Sequence, residues 1–145
     1  MTRGSTRRAD RREGGRRAEP VPIEMAPEGA QRRELAHRYS EHLAPLGVVV
    51  PVEREWAKHV YHLYIIRSAK RDDLQAFLKQ KGIASEVYYP LPPHLSVPCR
   101  AFGYKEGDFP HAERASRETA ALPIYPELTI EQQDEVIAAI RAFLG

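Results

Sequence analysis

The chain has 145 residues, a formal net charge of +2 and a single cysteine, Cys99. That length supports one domain with its own core, and the near-neutral balance gives no electrostatic case for nucleic acid or an acidic membrane surface as a partner. One thiol excludes an internal disulfide framework and fits a reducing, cytoplasmic setting, while no apolar run approaches the ~20 residues that span a bilayer.

The charge is unevenly spread. Residues 1–17 carry Arg3, Arg7, Arg8, Arg11, Arg12, Arg16 and Arg17 against Asp10 and Glu13. Residues 1–30 are rich in Arg, Gly, Pro and Glu and show neither helical nor strand period. Such a segment buries too little apolar surface to offset its ordering entropy, so it reads as a disordered arginine-rich tail. The arginines alone would suit a nucleic-acid arm. A solvated tail is the favoured account of them, and no nucleic-acid partner is expected. Order is expected from Ala30, with residues 31–145 forming one domain.

Leu35, Tyr39 and Leu43 recur every four residues beside Ala36, which predicts an amphipathic helix ending before Pro45 and Gly47. Val48-Val49-Val50 predicts a strand, with Pro51 marking its end or an edge position. Val60–Ile66 is apolar or aromatic on both faces and predicts a central strand. A helix follows over Lys70–Lys81, with Leu74, Phe77 and Leu78 as its buried stripe and Ser68 as N-cap. Gly82-Ile83 is a helix stop in which glycine takes the left-handed conformation and the next apolar residue packs back. Ile83–Tyr89 predicts another strand.

Pro90, Pro92, Pro93, Pro98 and Pro110 exclude regular structure over most of residues 90–110. Leu91, Leu95, Val97, Phe102, Tyr104 and Phe109 nonetheless give the segment apolar anchors, so it predicts a stiff, packed loop suited to binding. A short helix capped by Asp108 follows, then an extended stretch over Leu122–Tyr125. Thr129 and Gln132 form a capping box for a last helix with Val136, Ile137, Ile140, Phe143 and Leu144 on its stripe. The sum is an α/β (α+β) domain, a small sheet with helices packed on one face.

Few residues suggest chemistry unaided. His59 and His62 fall on opposite faces of a strand, and His37 and His42 are off-register on a helix, so neither pair suits a metal. Cys99 lies near His94 and Arg100 in sequence without an evident activating neighbour. No glycine-rich phosphate loop, zinc spacing or nucleophile elbow occurs. The suggestive cluster is Tyr88-Tyr89-Pro90 followed by His94, where phenols and an imidazole on a rigid loop can hydrogen-bond a polar ligand.

Several stretches, in order, resemble the C-terminal small domain of DegT/DnrJ/StrS aminotransferases. His59-Val60-Tyr61-His62-Leu63-Tyr64-Ile65-Ile66-Arg67 is similar to the strand that opens that domain, and Arg71–Leu78 to the helix after it. Tyr88-Tyr89-Pro90-Leu91-Pro92-Pro93-His94-Leu95 resembles the family's Tyr-Pro-x-Pro-x-His-Leu loop. Phe102–Pro110 and Leu122–Thr129 extend the likeness, which covers about residues 31–145.

The resemblance implies the fold of the small domain in fold-type I aminotransferases. It also implies a pyridoxal 5′-phosphate enzyme that moves an amino group from glutamate to a nucleotide-linked keto sugar, as in cell-surface polysaccharide or amino-sugar biosynthesis. In the family, the cofactor-binding lysine, the acid at the pyridine nitrogen and the phosphate-holding groups lie in a large domain with no match here. Lys58, Lys70, Lys79, Lys81 and Lys105 lack the family's lysine context. The implied expectations are no catalytic or cofactor-binding residue and no metal site. Tyr88, Tyr89 and His94 are expected as substrate-binding residues, often reaching a partner subunit's site in a homodimer. Many members carry histidine at the position of Tyr88, a departure that bears on substrate class. The chain is expected to be a truncated or frameshifted product, inactive alone. The alternative is a non-catalytic sugar-nucleotide-binding or accessory module that docks on a full-length aminotransferase.

Overall fold

A computed structural model describes residues 27–145. The expected disorder of residues 1–26 lies outside the described residues. Helix α1 spans Pro27–Leu43, so residues 27–30, assigned above to the tail, are helical instead. The physical reason is local: proline needs no donor in a first turn, and Glu28 complements the positive helix end. Leu35, Ala36, Tyr39 and Leu43 form the buried stripe of α1 as their spacing predicts. A 3-10 turn over Ala44–Leu46 closes on Gly47, whose φ of 84° is the left-handed conformation that glycine adopts freely.

The regular sheet has two antiparallel strands, β1 (Tyr64–Arg67) and β2 (Thr119–Leu122), with Tyr64 opposite Leu122 and Ile66 opposite Ala120. Val49 pairs with Arg67 on the outer side of β1, and Glu86 pairs with Ala121 on the outer side of β2. The predicted strands at 48–50 and 83–89 thus shrink to single bridging residues. Pro51 removes a donor just after one, and Pro90 follows the other. The predicted strand at 60–66 begins only at Tyr64. Tyr61 has a φ of +47°, and its amide donates to Nδ1 of His59 at 2.8 Å, which turns the chain before it can join the sheet.

Helix α2 (Arg71–Gln80) starts after Lys70. Ser68 is not its N-cap, because it lies two residues before the cap position and its hydroxyl accepts the Lys70 amide at 3.2 Å rather than an amide of the first turn. The helix ends as expected: Gly82 has a φ of +75° and the Ile83 amide reaches back to the Leu78 carbonyl at 2.9 Å. Arg71 is buried and donates to the carbonyls of Ser116 and Thr119. It thereby fixes α2 to the end of helix α3 (Pro110–Glu118). Helix α4 (Ile130–Leu144) opens on the capping box, with the Gln132 amide on the Thr129 hydroxyl at 3.2 Å and the Thr129 amide on Gln132 Oε1 at 3.0 Å.

The core lies where α1, α2 and α4 meet the sheet. It gathers Leu35, Tyr39, Leu43, Tyr64, Ile66, Leu74, Leu78, Leu122, Val136, Ile137 and Ile140. Each fully buried leucine or isoleucine here contributes about 1.5–3 kcal/mol. Gln133 is fully buried between α1 and α4, where it donates to the Leu35 carbonyl at 2.7 Å and accepts from Arg38 at 3.1 Å. Among the described residues no helix is long and apolar enough to cross a membrane.

Candidate functional site

The loop between the Glu86 bridge and α3 carries the residues singled out above. Its backbone bends through two 3-10 turns, Pro93–Leu95 and Val97–Phe102, each with proline in its first turn. Tyr88 and Tyr89 face outward, with 52% and 72% of their surface exposed. Tyr88 borders an open hollow of about 250 Å³ together with Leu63, Glu86, Pro123, Ile124 and Tyr125. A phenol rim over an apolar floor with one carboxylate can grip a ring by its face and its hydroxyls. A larger hollow of about 550 Å³ lies between α2 and residues 83–86, away from Tyr89 and His94, and is lined by Asp72, Gln75 and Lys79 among others.

His94 is placed differently from the tyrosines. Only 8% of its surface is exposed, and its Nε2 lies 3.0 Å from Oε1 of Glu113 on α3. The carboxylate is an acceptor, so the ring nitrogen is assigned as the donor. The same Glu113 oxygen accepts the Gly107 amide at 2.8 Å and the Phe109 amide at 3.4 Å. Burial alone would push the Glu113 carboxyl up, but the Gly107 amide, the His94 ring and the Phe109 amide outweigh it and hold the group below its ordinary value. Phe109 packs on the imidazole at 4.8 Å between centroids, and Tyr104 meets Phe109 edge-on at 5.1 Å. The structure therefore brings Tyr88 and Tyr89 to the surface and turns His94 inward.

Glu113 was not singled out by sequence. Its only signal there is an acidic residue in the first turn of a helix, which ordinarily reads as a favourable helix-end charge. Tyr125 was likewise missed, since only the fold brings it beside Tyr88, and so was Glu86, which lies two residues before Tyr88 but carries no distinguishing motif. Asp108, predicted as a helix cap, instead accepts the Lys105 amide at 2.9 Å, and Phe109 occupies the cap position without a side-chain bond. Cys99 is a half-buried free thiol and Arg100 is exposed. No cluster of three or more metal-ligating side chains occurs among the described residues.

A second polar cluster holds residues 53–61 against α1. Arg33 donates both guanidinium ends to Glu53, at 2.6 and 2.9 Å, and also reaches the His59 carbonyl at 2.6 Å. The His59 amide adds a bond to Glu53 at 2.8 Å. The Arg33 hydrogen bond first, then the His59 amide, hold the Glu53 carboxyl down at about 2.

These elements define a small α+β unit that displays a stiffened aromatic loop. Residues 24–141 match the model of the DegT/DnrJ/EryC1/StrS aminotransferase family, and the chain belongs to that family. It is 50% identical over 116 residues to a pleiotropic regulatory protein of Geobacillus stearothermophilus, covering 78% of this chain and 31% of that protein. It is 38% identical over 114 residues to the erythromycin biosynthesis sensory transduction protein EryC1 of Saccharopolyspora erythraea, with the same shares covered. Among solved structures, S. venezuelae DesV in complex with a ketimine intermediate superposes with a TM-score of 0.78 at 36% identity, over 81% of this chain and 32% of that one. The chain thus spans about a third of the length of these relatives.

Within this family, NtdA from Bacillus subtilis has been solved with the cofactor pyridoxamine phosphate bound. Schiff-base attachment of the aldehyde form of this cofactor, pyridoxal phosphate, requires a positioned, desolvated lysine. The five lysines of this sequence, Lys58, Lys70, Lys79, Lys81 and Lys105, are all exposed.

Proposed function

We propose that residues 31–145 act as the small-domain wall of a pyridoxal phosphate-dependent aminotransferase site whose substrate is a nucleotide-linked keto sugar. The observation that carries this reading is the exposed pair Tyr88–Tyr89, of which Tyr88 borders a hollow of about 250 Å³, in a chain of this family. Relatives named for transaminases of dTDP-linked amino sugars, from Micromonospora megalomicea and Streptomyces venezuelae, support the substrate class. Tyr88 and Tyr89 meet the sugar nucleotide, and His94 serves the same loop from behind. The cofactor is held by residues outside this unit, and among the described residues there is neither a buried lysine nor a phosphate cradle. The chain alone is therefore inactive and acts with a large domain, in a homodimer or docked on a complete aminotransferase.

The test mixes purified chain with the large domain of a relative, and follows amino transfer from glutamate to a dTDP-linked keto sugar. Activity present only in the mixture, and reduced at least about tenfold by the double change Tyr88→Ala and Tyr89→Ala, is the expected result. Full activity of the chain alone would refute the division of labour. Stable association with an intact relative, without any effect of the tyrosines on turnover, would instead favour a non-catalytic accessory role.

A further inference from the structure

We infer that Glu113 is a positioning residue, and that with His94 it forms an internal latch that sets the outward loop carrying Tyr88 and Tyr89. The substrate side of this inference rests on the reading just given, whereas the latch itself rests on geometry alone. Glu113 is 3% exposed, and one of its oxygens gathers three donors from two ends of the loop. The His94 ring comes from the first 3-10 turn, and the Gly107 and Phe109 amides come from the run into α3. Residues 94 and 107 are thirteen apart in sequence and are joined through this one carboxylate.

The alternatives for ordering this loop are few. Its proline-rich chain makes no strand pairing beyond Glu86, and its remaining internal bonds are short-range, such as Leu95 to Pro92 and Cys99 to Ser96. Val97, Phe102 and Tyr104 are exposed and add little burial. The loop is instead organised around the buried His94 ring, on which Phe109 packs, with Tyr104 edge-on to Phe109 further out. An imidazole suits this position because it presents a flat apolar face to Phe109 and a polar edge to Glu113 at the same time. Losing the carboxylate would leave the buried His94 nitrogen and the part-buried Gly107 amide without this partner, and the least costly escape is outward movement of the loop. Arg117 and Glu106 lie at the outer edge, 3.9 Å apart and both exposed, so they do not replace the buried contact.

The experiment compares the full chain with Glu113→Ala, His94→Ala, the double variant and His94→Gln. Hydrogen exchange followed by mass spectrometry is read separately for peptides within 88–109 and within α4. Each single alanine variant is expected to raise exchange in 88–109 at least about tenfold while leaving α4 unchanged. The double variant should exceed neither single by more than about twofold, because both remove one shared interaction. His94→Gln, whose amide can still donate to the carboxylate, should recover most of the protection. Unchanged loop exchange, fully additive effects, or equal acceleration of α4 would each overturn the latch. A second arm measures dTDP binding by saturation-transfer NMR. Binding by the wild type that falls at least about fivefold in both alanine variants supports positioning, and equal binding in all overturns it. If dTDP binds neither the chain alone nor the chain mixed with a relative's large domain, the substrate reading fails, while the exchange data still decide the latch.

Discussion

Tyr64 offers a sharp test of the core, because its contribution to stability should change sign with pH. The side chain has no exposed surface, its ring lies 5.0 Å from that of Tyr39, and its hydroxyl pairs with the Ser40 hydroxyl at 2.8 Å. Burial is the main cause that pushes its phenol up to about 12, against the Ser40 hydrogen bond, which acts the other way. An unfolded tyrosine ionises at about 10. The folded value is the higher one, so the stabilisation is complete below about pH 10 and is lost as pH rises through about 12. A rise of about two in pKa is worth at most about 3 kcal/mol, and screening by penetrating solvent reduces it to about 2 kcal/mol. Replacing the residue by phenylalanine removes the bond to Ser40, which costs about 1 kcal/mol at neutral pH, but it also removes the ionisation. Tyr64→Phe should therefore be less stable than the wild type below about pH 10 and more stable above about pH 11. Urea unfolding of both proteins across that range reads the difference directly. Parallel stability curves with no crossing would refute the argument that the phenol is held neutral by burial.

Three further outcomes are expected. The Glu53 carboxyl is held at about 2 against an ordinary 4.5, so the stabilisation it gives residues 53–61 is present above about pH 4.5 and disappears as pH falls towards 2. Trp56, the only tryptophan, sits in that segment, and its fluorescence anisotropy should fall over this window; Glu53→Gln should show the lower value already at neutral pH. Thr129→Ala removes half of the α4 capping box and should cost about 1 kcal/mol in urea unfolding, with Thr129→Ser close to the wild type. Leu74→Ala empties a fully buried site and should cost about 2–5 kcal/mol by the same measurement.

The helices were legible because their signals are local and redundant. Leu35, Tyr39 and Leu43, or Val136, Ile137 and Ile140, repeat at helical spacing and are buried as that spacing demands. Gly82 and the Thr129–Gln132 pair marked helix ends through chemistry confined to a few residues. The sheet was less legible because pairing is a long-range choice. Val60–Leu63 has strand-like composition, yet the bond between the Tyr61 amide and His59, and the contacts of the buried Tyr61 ring, favour a turn. Thr119–Leu122 contains two alanines and no strong strand former except Thr119, yet it pairs with β1 because register and burial outweigh propensity. Tyr88 and Tyr89 could be picked out as aromatic residues before a proline-rich run. Glu113 could not, since its importance depends on His94 and Gly107 arriving at one oxygen.

This arrangement also explains how a loop rich in exposed aromatic residues can be both ordered and available. A binding loop loses affinity if it must be ordered when its ligand arrives, because the ordering entropy opposes association. Here the ordering contacts lie on the inner side, where Glu113 takes the His94 ring and two amides and Phe109 covers the imidazole. The outer side keeps Tyr88 and Tyr89 free of those duties. Proline at the start of each 3-10 turn narrows the backbone further without using any outward side chain. A substitution on the inner side should therefore change the geometry of recognition without touching a ligand. One at Tyr88 or Tyr89 should change recognition without loosening the loop. The two classes of variant separate when amide exchange and ligand binding are measured on the same protein.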